Sequence, residues 1–344
     1  MQLENSKIEE HVSQNLQGII SSFNIWMKDL SHIDEQKVFL SREGWTLGKG
    51  YNQLFPNEKC SYARSSRILL NSIHIQNHND IINIIKKPSL DTTIKNFLKV
   101  RFGLEASVFF EAHKKIISLK MKRREIEDYI LNSDQKELLF DDILRTTKHR
   151  KSNLVKYYEQ IFKNNDNINL IDIGYNGSFK KALQHLFPDK KFKGFYLGTF
   201  DESQDNDYGF LFNKVNNNND NYEIENNVLF LEYLLSTRDG TVIDIDENCI
   251  PILDTHNMPQ KVKRIQDNVF ARLDINKKNF NSEFIINPDK DLIKFFKHES
   301  IEDKYRNNKK HFLISNRILK ITEKQKKDFI KDSAWKSGAK NLLY

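Results

Sequence analysis

Cysteine is scarce in this sequence. Its 344 residues include two cysteines, Cys60 and Cys249, and neither belongs to a C-x-x-C pair. A disulfide framework or a structural zinc site needs several cysteines at short, regular spacings. The sequence therefore excludes a disulfide-rich fold and gives no sign of a zinc site, and we expect both thiols to be reduced.

Long hydrophobic runs are also missing. No segment reaches the run of about 18 apolar residues that a membrane-spanning helix needs. The first residues, Met1 to Glu10, are polar and of mixed charge, unlike the basic and then apolar start of a secretory signal. With 38% hydrophobic and 29% charged residues, the composition is typical of a soluble globular protein. We predict a cytoplasmic location and no membrane span.

The positive charge of the chain is spread out. The formal net charge is +7 and the isoelectric point is about 9.0. Lysine and arginine are interleaved with aspartate and glutamate, and the most basic segments are typical of solvated helix faces. These segments are Lys120–Glu125, Thr147–Lys151 and Arg306–His311. We therefore expect no nucleic-acid partner.

The most informative stretch is NLIDIGYNGS, at residues 169–178. An apolar run carrying one acidic residue ends in a glycine turn, and residues 179–187 then show apolar side chains at helical spacing. This order predicts a buried strand, a tight turn and a helix N-terminus. Ligands of open α/β sheets bind at such strand ends. The candidate ligand residues here are Asp172, Gly174, Asn176 and Gly177.

A second stretch, Lys37 to Gly44, has the same form. The β-prone run at 38–40 is followed by three polar residues and a glycine. If both strands belong to one sheet, their ends bring Glu43 and Asp172 to one rim. The alternative is that Asp172 caps its own turn and Glu43 is solvated, and either stretch alone is compatible with that interpretation.

The order of the other predicted elements indicates an α/β fold. A strand, a helix and a strand in succession favour parallel pairing of 170–173 with 192–197 through a right-handed crossover. A further strand is predicted at 60–67, a helix or strand at 228–235, a hairpin at 240–252 and an exposed loop at 213–227. Helices are predicted at 7–31, 45–54, 80–86, 90–102, 107–118, 122–131, 133–144, 151–162, 262–273, 291–296 and 323–335.

These elements predict three parts of the chain. A Rossmann-like core with a parallel sheet is expected from residues 1–73 and 161–260. The helical segments between them predict an inserted cap at 74–160. A mainly helical C-terminal extension is expected at 261–344.

Several blocks of the sequence resemble the haloacid dehalogenase-like proteins. This family is often fused to, or encoded beside, bacterial glycosyltransferases of surface-polysaccharide biosynthesis. The blocks follow the family's order and span roughly half to two thirds of the chain. They are FLSREGW (39–45), YARSSRILL (62–70), FLKVRFGL (97–104), LIDIGYNGS (170–178) and GFYLGTF (194–200).

The resemblance implies a Rossmann-like core with a helical cap and a magnesium-dependent phosphoryl-transfer site. In active members, an aspartate after the first strand attacks phosphorus and a second acid protonates the leaving group. By position, Ser41 stands where the nucleophile is expected and Glu43 where the second acid is expected. The resemblance further implies that Ser65 or Ser66 and Lys151 bind phosphate, and that Glu43, Asp172 and Asn176 help to hold Mg²⁺.

The serine at position 41 departs from the family pattern. It cannot form an aspartyl phosphate and does not supply the carboxylate that Mg²⁺ prefers. Two hypotheses follow from the resemblance. The chain is either a divergent protein that binds or acts on a phosphorylated sugar or nucleotide sugar, or a catalytically silent module that partners a glycosyltransferase.

A different class of function is also compatible with the central stretch. The segment DIGYNG is close to the acid and glycine turn of S-adenosylmethionine-dependent methyltransferases, where glycines let the backbone approach the ligand. It lacks a third closely spaced glycine, and no clear acidic residue ends the next predicted strand. Such an isolated match is weak.

Three other patterns are better explained without a site. The segment RDGT at 238–241 resembles part of a phosphatase motif but is more typical of a turn. His74 and His78 lack the glutamate of a zinc-protease helix. Asp244, Asp246 and Asn248 alternate as calcium ligands do, but the glycine and distal glutamate of a calcium loop are missing.

Overall fold

The computed structural model describes residues 2–87, 92–105, 107–199, 206–213, 228–254 and 258–276. The helices are α1 (Gln2–Leu30), α2 (Ser41–Leu54), α3 (Arg67–His74), α4 (His78–Lys86), α5 (Ile94–Phe102), α6 (Val108–Ala112), α7 (Arg123–Leu131), α8 (Lys136–Phe162), α9 (Ser178–Leu186), α10 (Val228–Leu235) and α11 (Gln260–Asn276). The strands are β1 (Gln36–Leu40), β2 (Cys60–Ala63), β3 (Thr92–Thr93), β4 (Lys120–Met121), β5 (Asn167–Asp172), β6 (Lys191–Thr199), β7 (Asp207–Asn213), β8 (Val242–Ile245) and β9 (Pro251–Leu253).

The main sheet has five strands in the order β2-β1-β5-β6-β7, and every neighbouring pair is parallel. The predicted α/β class, the parallel sheet and the parallel pairing of β5 with β6 are confirmed. Strand β1 lies between β2 and β5, so the chain adds strands on one side of β1 and later on the other. The carboxyl ends of β1 and β5 therefore form a topological switch point, where open α/β sheets bind ligands.

Both faces of the sheet are covered by helices, which explains the apolar strands. Successive side chains of a strand point to opposite faces. Phe39 and Ile171 accordingly pack in one cluster with residues of α1, α2, α10 and α11. Val38 and Leu170 pack in a second cluster with residues of α3, α8 and α9. A parallel sheet buried on both faces needs such continuous hydrophobic runs.

A helical block follows the second strand and has its own hydrophobic cluster, formed by residues between Ile75 and Ile143. The predicted break between helices 133–144 and 151–162 is wrong, because α8 is continuous through both. Two polar side chains near the expected break have hydrogen-bond partners. The Thr147 hydroxyl donates to the Ile143 carbonyl at 2.8 Å, and the buried Arg150 donates to Asp244 at 3.1 Å.

Several other boundaries differ from the predictions. Helix α2 begins at Ser41 instead of 45, and α6 ends at Ala112 instead of 118. Helix α5 begins at Ile94 because Thr93 accepts a capping hydrogen bond from the Asn96 backbone. Strand β7 was not predicted, because its segment, DYGFLFN, lies beside a long polar stretch. The segments expected at 214–227, 291–296 and 323–335 lie outside the described residues.

The remaining elements follow the sequence pattern. The predicted hairpin is formed by β8 and β9, which pair antiparallel, and residues 228–235 are helical. Helix α11 confirms the helix expected at 262–273 and packs in the same cluster as α1 and α2. The predicted division into core, cap and extension stays a prediction. None of the helices in the described ranges is long and apolar enough to cross a membrane.

Candidate functional site

Ser41 lies where strand β1 turns directly into helix α2. Its φ angle is 64°, in the left-handed region that residues other than glycine rarely adopt. The Tyr62 hydroxyl donates to the Ser41 carbonyl at 2.9 Å and holds this turn. A Cβ atom on Gly44 would lie 3.0 Å from the Phe39 carbonyl carbon, so the glycine allows the helix to fold closely back onto its strand.

Ser41, Ser65 and Asp172 meet at the switch point. The Ser41 Oγ atom lies 2.9 Å from Ser65 Oγ and donates to Asp172 Oδ2 at 3.3 Å. Ser41 follows β1, Ser65 follows β2 and Asp172 ends β5. These three strands are adjacent in the sheet. A hydroxyl carries one proton, so a Ser41 that donates to Asp172 accepts the proton of Ser65.

Asp172 is buried in an environment that disfavours its charge. Asp172 is 8% exposed, and its Oδ1 atom accepts a hydrogen bond from the Ile173 backbone N–H at 2.8 Å. Burial raises the pKa of Asp172 well above its usual range, and the nearby Glu43 and Glu232 carboxylates raise it further. The hydrogen bonds from Ile173 and Ser41 oppose this pKa shift without cancelling it.

Glu43 reaches the same region from the first turn of α2. The interpretation that Glu43 is solvated is wrong, because the residue is 5% exposed. Its Oε1 atom lies 3.5 Å from Nη2 of Arg42 and accepts from Ser236 Oγ, also at 3.5 Å. Glu43 and Ser41 both belong to α2. Asp172, not Glu43, contacts the Ser41 hydroxyl.

The structure distinguishes the two serines that were expected to bind phosphate. Ser66 is the N-cap of α3, and its Oγ accepts the Leu69 backbone N–H at 3.3 Å. Ser65 instead directs its hydroxyl to Ser41. Arg67, which follows Ser66, lies in the first turn of α3. Burial lowers the pKa of its guanidinium; the charge of Glu232 opposes this shift, and the charge of Arg42 adds to it. Arg42, Arg67 and Glu232 are therefore electrostatic neighbours.

Lys151 is not brought to this cluster. Its ammonium donates to the carbonyl of Ile73 at 3.3 Å, at the opposite end of α3 from Ser65 and Ser66. Asn176 lies in the turn after β5, and its Oδ1 atom is buried and has no hydrogen-bond partner among the described residues. It is therefore an acceptor that a ligand donor could satisfy.

The glycines of the central turn are required by close packing within the protein. Gly174 has a φ of 123°, and a Cβ there would lie 2.3 Å from the Gly198 carbonyl oxygen. Gly177, the N-cap of α9, has a φ of 62°, and a Cβ there would lie 2.7 Å from Asp207 Oδ2. Both positions are explained without the approach of an adenosine-containing ligand.

A cleft in the described residues lies elsewhere. It has a volume of about 650 Å³ and is lined by helical-block residues such as Lys95, Phe110 and Asp142. It does not adjoin the glycine turn. The methyltransferase interpretation therefore gains no support from this cleft and stays a prediction.

The described residues do not form a metal-binding cluster of their own. Within the described ranges, no group of three or more His, Cys, Asp or Glu side chains could hold a metal ion. Both oxygens of Asp172 accept hydrogen bonds, and the Arg42 guanidinium lies against Glu43. A guanidinium thus supplies positive charge where the resemblance implies a metal. Mg²⁺ stays a prediction of that resemblance alone.

The patterns that were set aside have structural roles. Asp239 pairs with Arg64, and Arg238 donates to Gln266 and Asp267, which fixes the turn before β8. His78 lies 3.1 Å from Glu137 on the surface. Asp244 pairs with Arg150, and Asp246 accepts the backbone N–H groups of the hairpin turn.

Sequence reasoning missed the residues that approach the site from α10. Glu232 and Ser236 lie near Asp172 and Glu43, and both are buried. The signal in the sequence was an acidic residue, Glu232, inside the hydrophobic segment VLFLEYLL. A buried carboxylate is stable only where neighbouring groups compensate its charge. Arg67 could have been noticed as a cation directly after the serine pair.

Comparison with known proteins adds no assignment. No protein-family model matches the chain, and no curated protein matches it.

Proposed function

We propose that this protein binds the phosphate group of a phosphorylated sugar or nucleotide sugar at the carboxyl edge of its sheet, and serves surface-polysaccharide biosynthesis. The proposal follows the resemblance to the haloacid dehalogenase-like proteins. At the coarser level, the parallel sheet with flanking helices is the architecture that this resemblance implies. The haloacid dehalogenase type of core remains part of the proposal.

One observation carries the proposal. The ends of three adjacent strands bring the Ser41 and Ser65 hydroxyls together with Asp172 at the switch point of the sheet. Hydroxyls and turn amides at this place are the groups with which open α/β sheets hold phosphates. Ser41 is half-buried whereas its two partners are buried, so its hydroxyl is the most accessible of the cluster.

Helix N-termini and cations strengthen this anion site. Helices α2 and α9 begin at this edge, and within the described structure neither has a side-chain cap hydrogen bond. Their first-turn amides carry partial positive charge. Arg42 and Arg67 lie in the first turns of α2 and α3, where the helix dipoles disfavour cations. A bound phosphate would relieve both effects and would accept paired hydrogen bonds from a guanidinium.

Aspartyl-phosphate chemistry is not part of this function, because Ser41 has no carboxylate to phosphorylate. A glycosyltransferase partner is proposed from the resemblance alone. The binding site does not depend on that partner, so the two proposals are tested separately.

Calorimetry on the full chain tests the binding. Sugar 1-phosphates and nucleoside diphosphate sugars are titrated beside the matching free sugars, in EDTA and in Mg²⁺. We expect the phosphorylated compounds to bind and the free sugars not to bind. Substituting Arg67→Gln removes a charged hydrogen-bond donor and should weaken binding about 10- to 100-fold. Ser65→Ala should weaken it less, because it removes one neutral hydroxyl.

The matched control is Arg145→Gln, the same chemical change at an exposed position of α8. Its affinity should equal that of the unmodified protein. Equal binding of free and phosphorylated sugars, or equal losses from Arg67→Gln and Arg145→Gln, would contradict the proposal. Tighter binding in Mg²⁺ that disappears in both Glu43→Gln and Asp172→Asn would restore the implied metal site.

A further inference from the structure

We propose that Ser41 is a nucleophile that accepts a phosphoryl group, with Asp172 as the base that takes its proton, a role that rests on the proposed binding of a phosphorylated sugar. The acid in contact with the Ser41 hydroxyl is Asp172, not the Glu43 to which the resemblance gives the role of second acid. In this proposal, the Ser41 hydroxyl replaces the nucleophilic aspartate that the resemblance implies at this position, and phosphoryl transfer is retained.

The backbone at Ser41 presents the hydroxyl as a reactive serine requires. A sharp turn from strand to helix, with the serine at a positive φ, exposes the hydroxyl above the sheet in enzymes that use a nucleophilic serine. Here β1 ends at Leu40, Ser41 has a φ of 64°, and α2 begins at Ser41 itself. The Tyr62 hydroxyl and the close approach of Gly44 to Phe39 hold this conformation.

The hydrogen bonds around Ser41 have the required direction. Ser41 Oγ donates to Asp172 Oδ2 at 3.3 Å, which is the contact between a nucleophile and its base. Ile173 N–H donates to the other oxygen of Asp172 and orients the carboxyl group. When Ser41 donates to Asp172, Ser65 Oγ, at 2.9 Å, donates to Ser41, and the second lone pair of Ser41 Oγ is left for attack.

The first-turn amides of α2 complete the arrangement. They follow Ser41 directly in the chain, so a phosphoryl group on Oγ would lie beside the N-terminus of a helix of 14 residues. Preorganised N–H groups and a helix N-terminus stabilise the negative charge that develops on phosphoryl oxygens. Arg42, in the same turn, adds a guanidinium.

The step balances without a further reactant. In its ionised form, the Asp172 carboxyl group takes the Oγ proton, and the Oγ–P bond forms while the bond between phosphorus and the leaving-group oxygen breaks. The leaving group departs with the electron pair of that bond. With p-nitrophenyl phosphate it leaves as the nitrophenolate anion and needs no proton. The products are phosphoserine at position 41 and the neutral carboxyl of Asp172.

The test uses the full chain and p-nitrophenyl phosphate in the presence of EDTA. Nitrophenolate release is followed by absorbance, and acid-quenched protein is analysed by mass spectrometry for a phosphoryl group on the peptide that contains Ser41. We expect phosphorylation of Ser41 with at least one equivalent of nitrophenolate. Ser41→Ala should abolish both signals, and Asp172→Asn should slow them roughly 10²- to 10⁴-fold. Ser152→Ala, on an exposed part of α8, should change neither.

Binding of inorganic phosphate, measured as a rise in melting temperature, separates the two proposals. Bound phosphate with no phosphorylation of the unmodified protein would overturn the nucleophile and leave the proposed function intact. Neither binding nor phosphorylation would overturn both. Phosphorylation that persists in Ser41→Ala would also overturn the nucleophile. Should Ser41→Ala fail to fold, Ser41→Gly serves instead, because glycine adopts the φ of 64° freely.

Discussion

The Ser41 hydroxyl donates to Asp172 Oδ2 at 3.3 Å across a sequence separation of 131 residues. This contact joins the two stretches that the sequence had marked separately as strand ends. It exists because β1 and β5 are neighbours in the sheet and pair in parallel, so their carboxyl ends lie side by side. Four predictions follow from this site and from the packing around it.

Ser41→Gly should be less destabilising than Ser41→Ala. Both variants lose the hydrogen bonds to Ser65 and Asp172. Alanine must still adopt the positive φ, which costs a residue with a Cβ about 1–2 kcal/mol, whereas glycine does not pay this strain. Urea unfolding should therefore give the glycine variant the higher free energy of unfolding. Equal values would show that the left-handed turn is not strained.

The Asp172→Asn variant should lose less folding stability than the unmodified protein as pH rises. The pKa of Asp172 is raised in the folded protein, so the stability contributed by its neutral form is complete below the unfolded pKa and is lost as pH rises through the folded pKa. Asparagine is neutral throughout. As pH rises above the ordinary carboxyl pKa of about 4, the free energy of unfolding of the unmodified protein should fall relative to the variant. The charged or titratable neighbours are Glu43, Glu232, Tyr158, Tyr175 and Tyr196.

That comparison is made by urea unfolding at each pH. A constant difference between the two proteins across the range would contradict the raised pKa. Ser152→Ala, on the exposed face of α8, provides a variant whose pH dependence should match that of the unmodified protein.

Arg150→Ala should destabilise the fold by about 3–5 kcal/mol, because it leaves buried polar groups without their partner. The guanidinium contacts both oxygens of Asp244 at 3.1 and 3.3 Å and donates to the Phe102 carbonyl at 2.9 Å. It also donates to Ser72 Oγ at 3.1 Å, so it joins four segments of the chain. Denaturant unfolding measures the loss.

Arg145→Ala is the matched control for that variant. Arg145 lies on the same helix, but its side chain is 80% exposed. Its removal should change the free energy of unfolding by no more than about 0.5 kcal/mol. Similar losses from the two substitutions would show that the Arg150 contacts contribute little.

Cys60 should react slowly with iodoacetamide in the folded protein. Burial raises the pKa of its thiol to about 11, although Asn52 and Lys37 partly oppose the shift. The reactive thiolate is therefore rare near neutral pH. Peptide mapping by mass spectrometry should show slow labelling of Cys60 in buffer and ordinary labelling in urea. Labelling at the unfolded rate in buffer would contradict the raised pKa.

Much of the core was predictable because local patterns decide it. The runs at 38–40 and 170–173 are apolar enough to form strands buried on both faces, and the glycine turn after Asp172 separates strand from helix in the sequence itself. Strand β7 escaped prediction because its segment lies beside a long polar stretch, and its pairing with β6 is what makes it a strand. The unbroken α8 escaped because Arg150 is satisfied by Asp244, which lies in a distant hairpin.

The candidate site was predictable only in part. Strand ends identify Ser41, Ser65 and Asp172, since parallel strands bring their carboxyl ends to one edge of the sheet. The roles within the set were not predictable. Ser66 is a helix cap, Lys151 donates to a carbonyl at the far end of α3, and Glu43 lies on a helix. These roles depend on which groups lie near each side chain in the folded protein.

By itself, the sequence determined the class of fold and the strand ends at which a site could form. Hydrophobic periodicity and glycine turns are local properties, and they suffice to specify a parallel α/β sheet with polar residues at its edge. The tertiary structure decided that β1 lies between β2 and β5, that Asp172 and not Glu43 contacts Ser41, and that α10 adds Glu232 to their surroundings. Strand order and burial are set by the packing of distant segments, and the hydrogen bonds and charge states of the site depend on that packing.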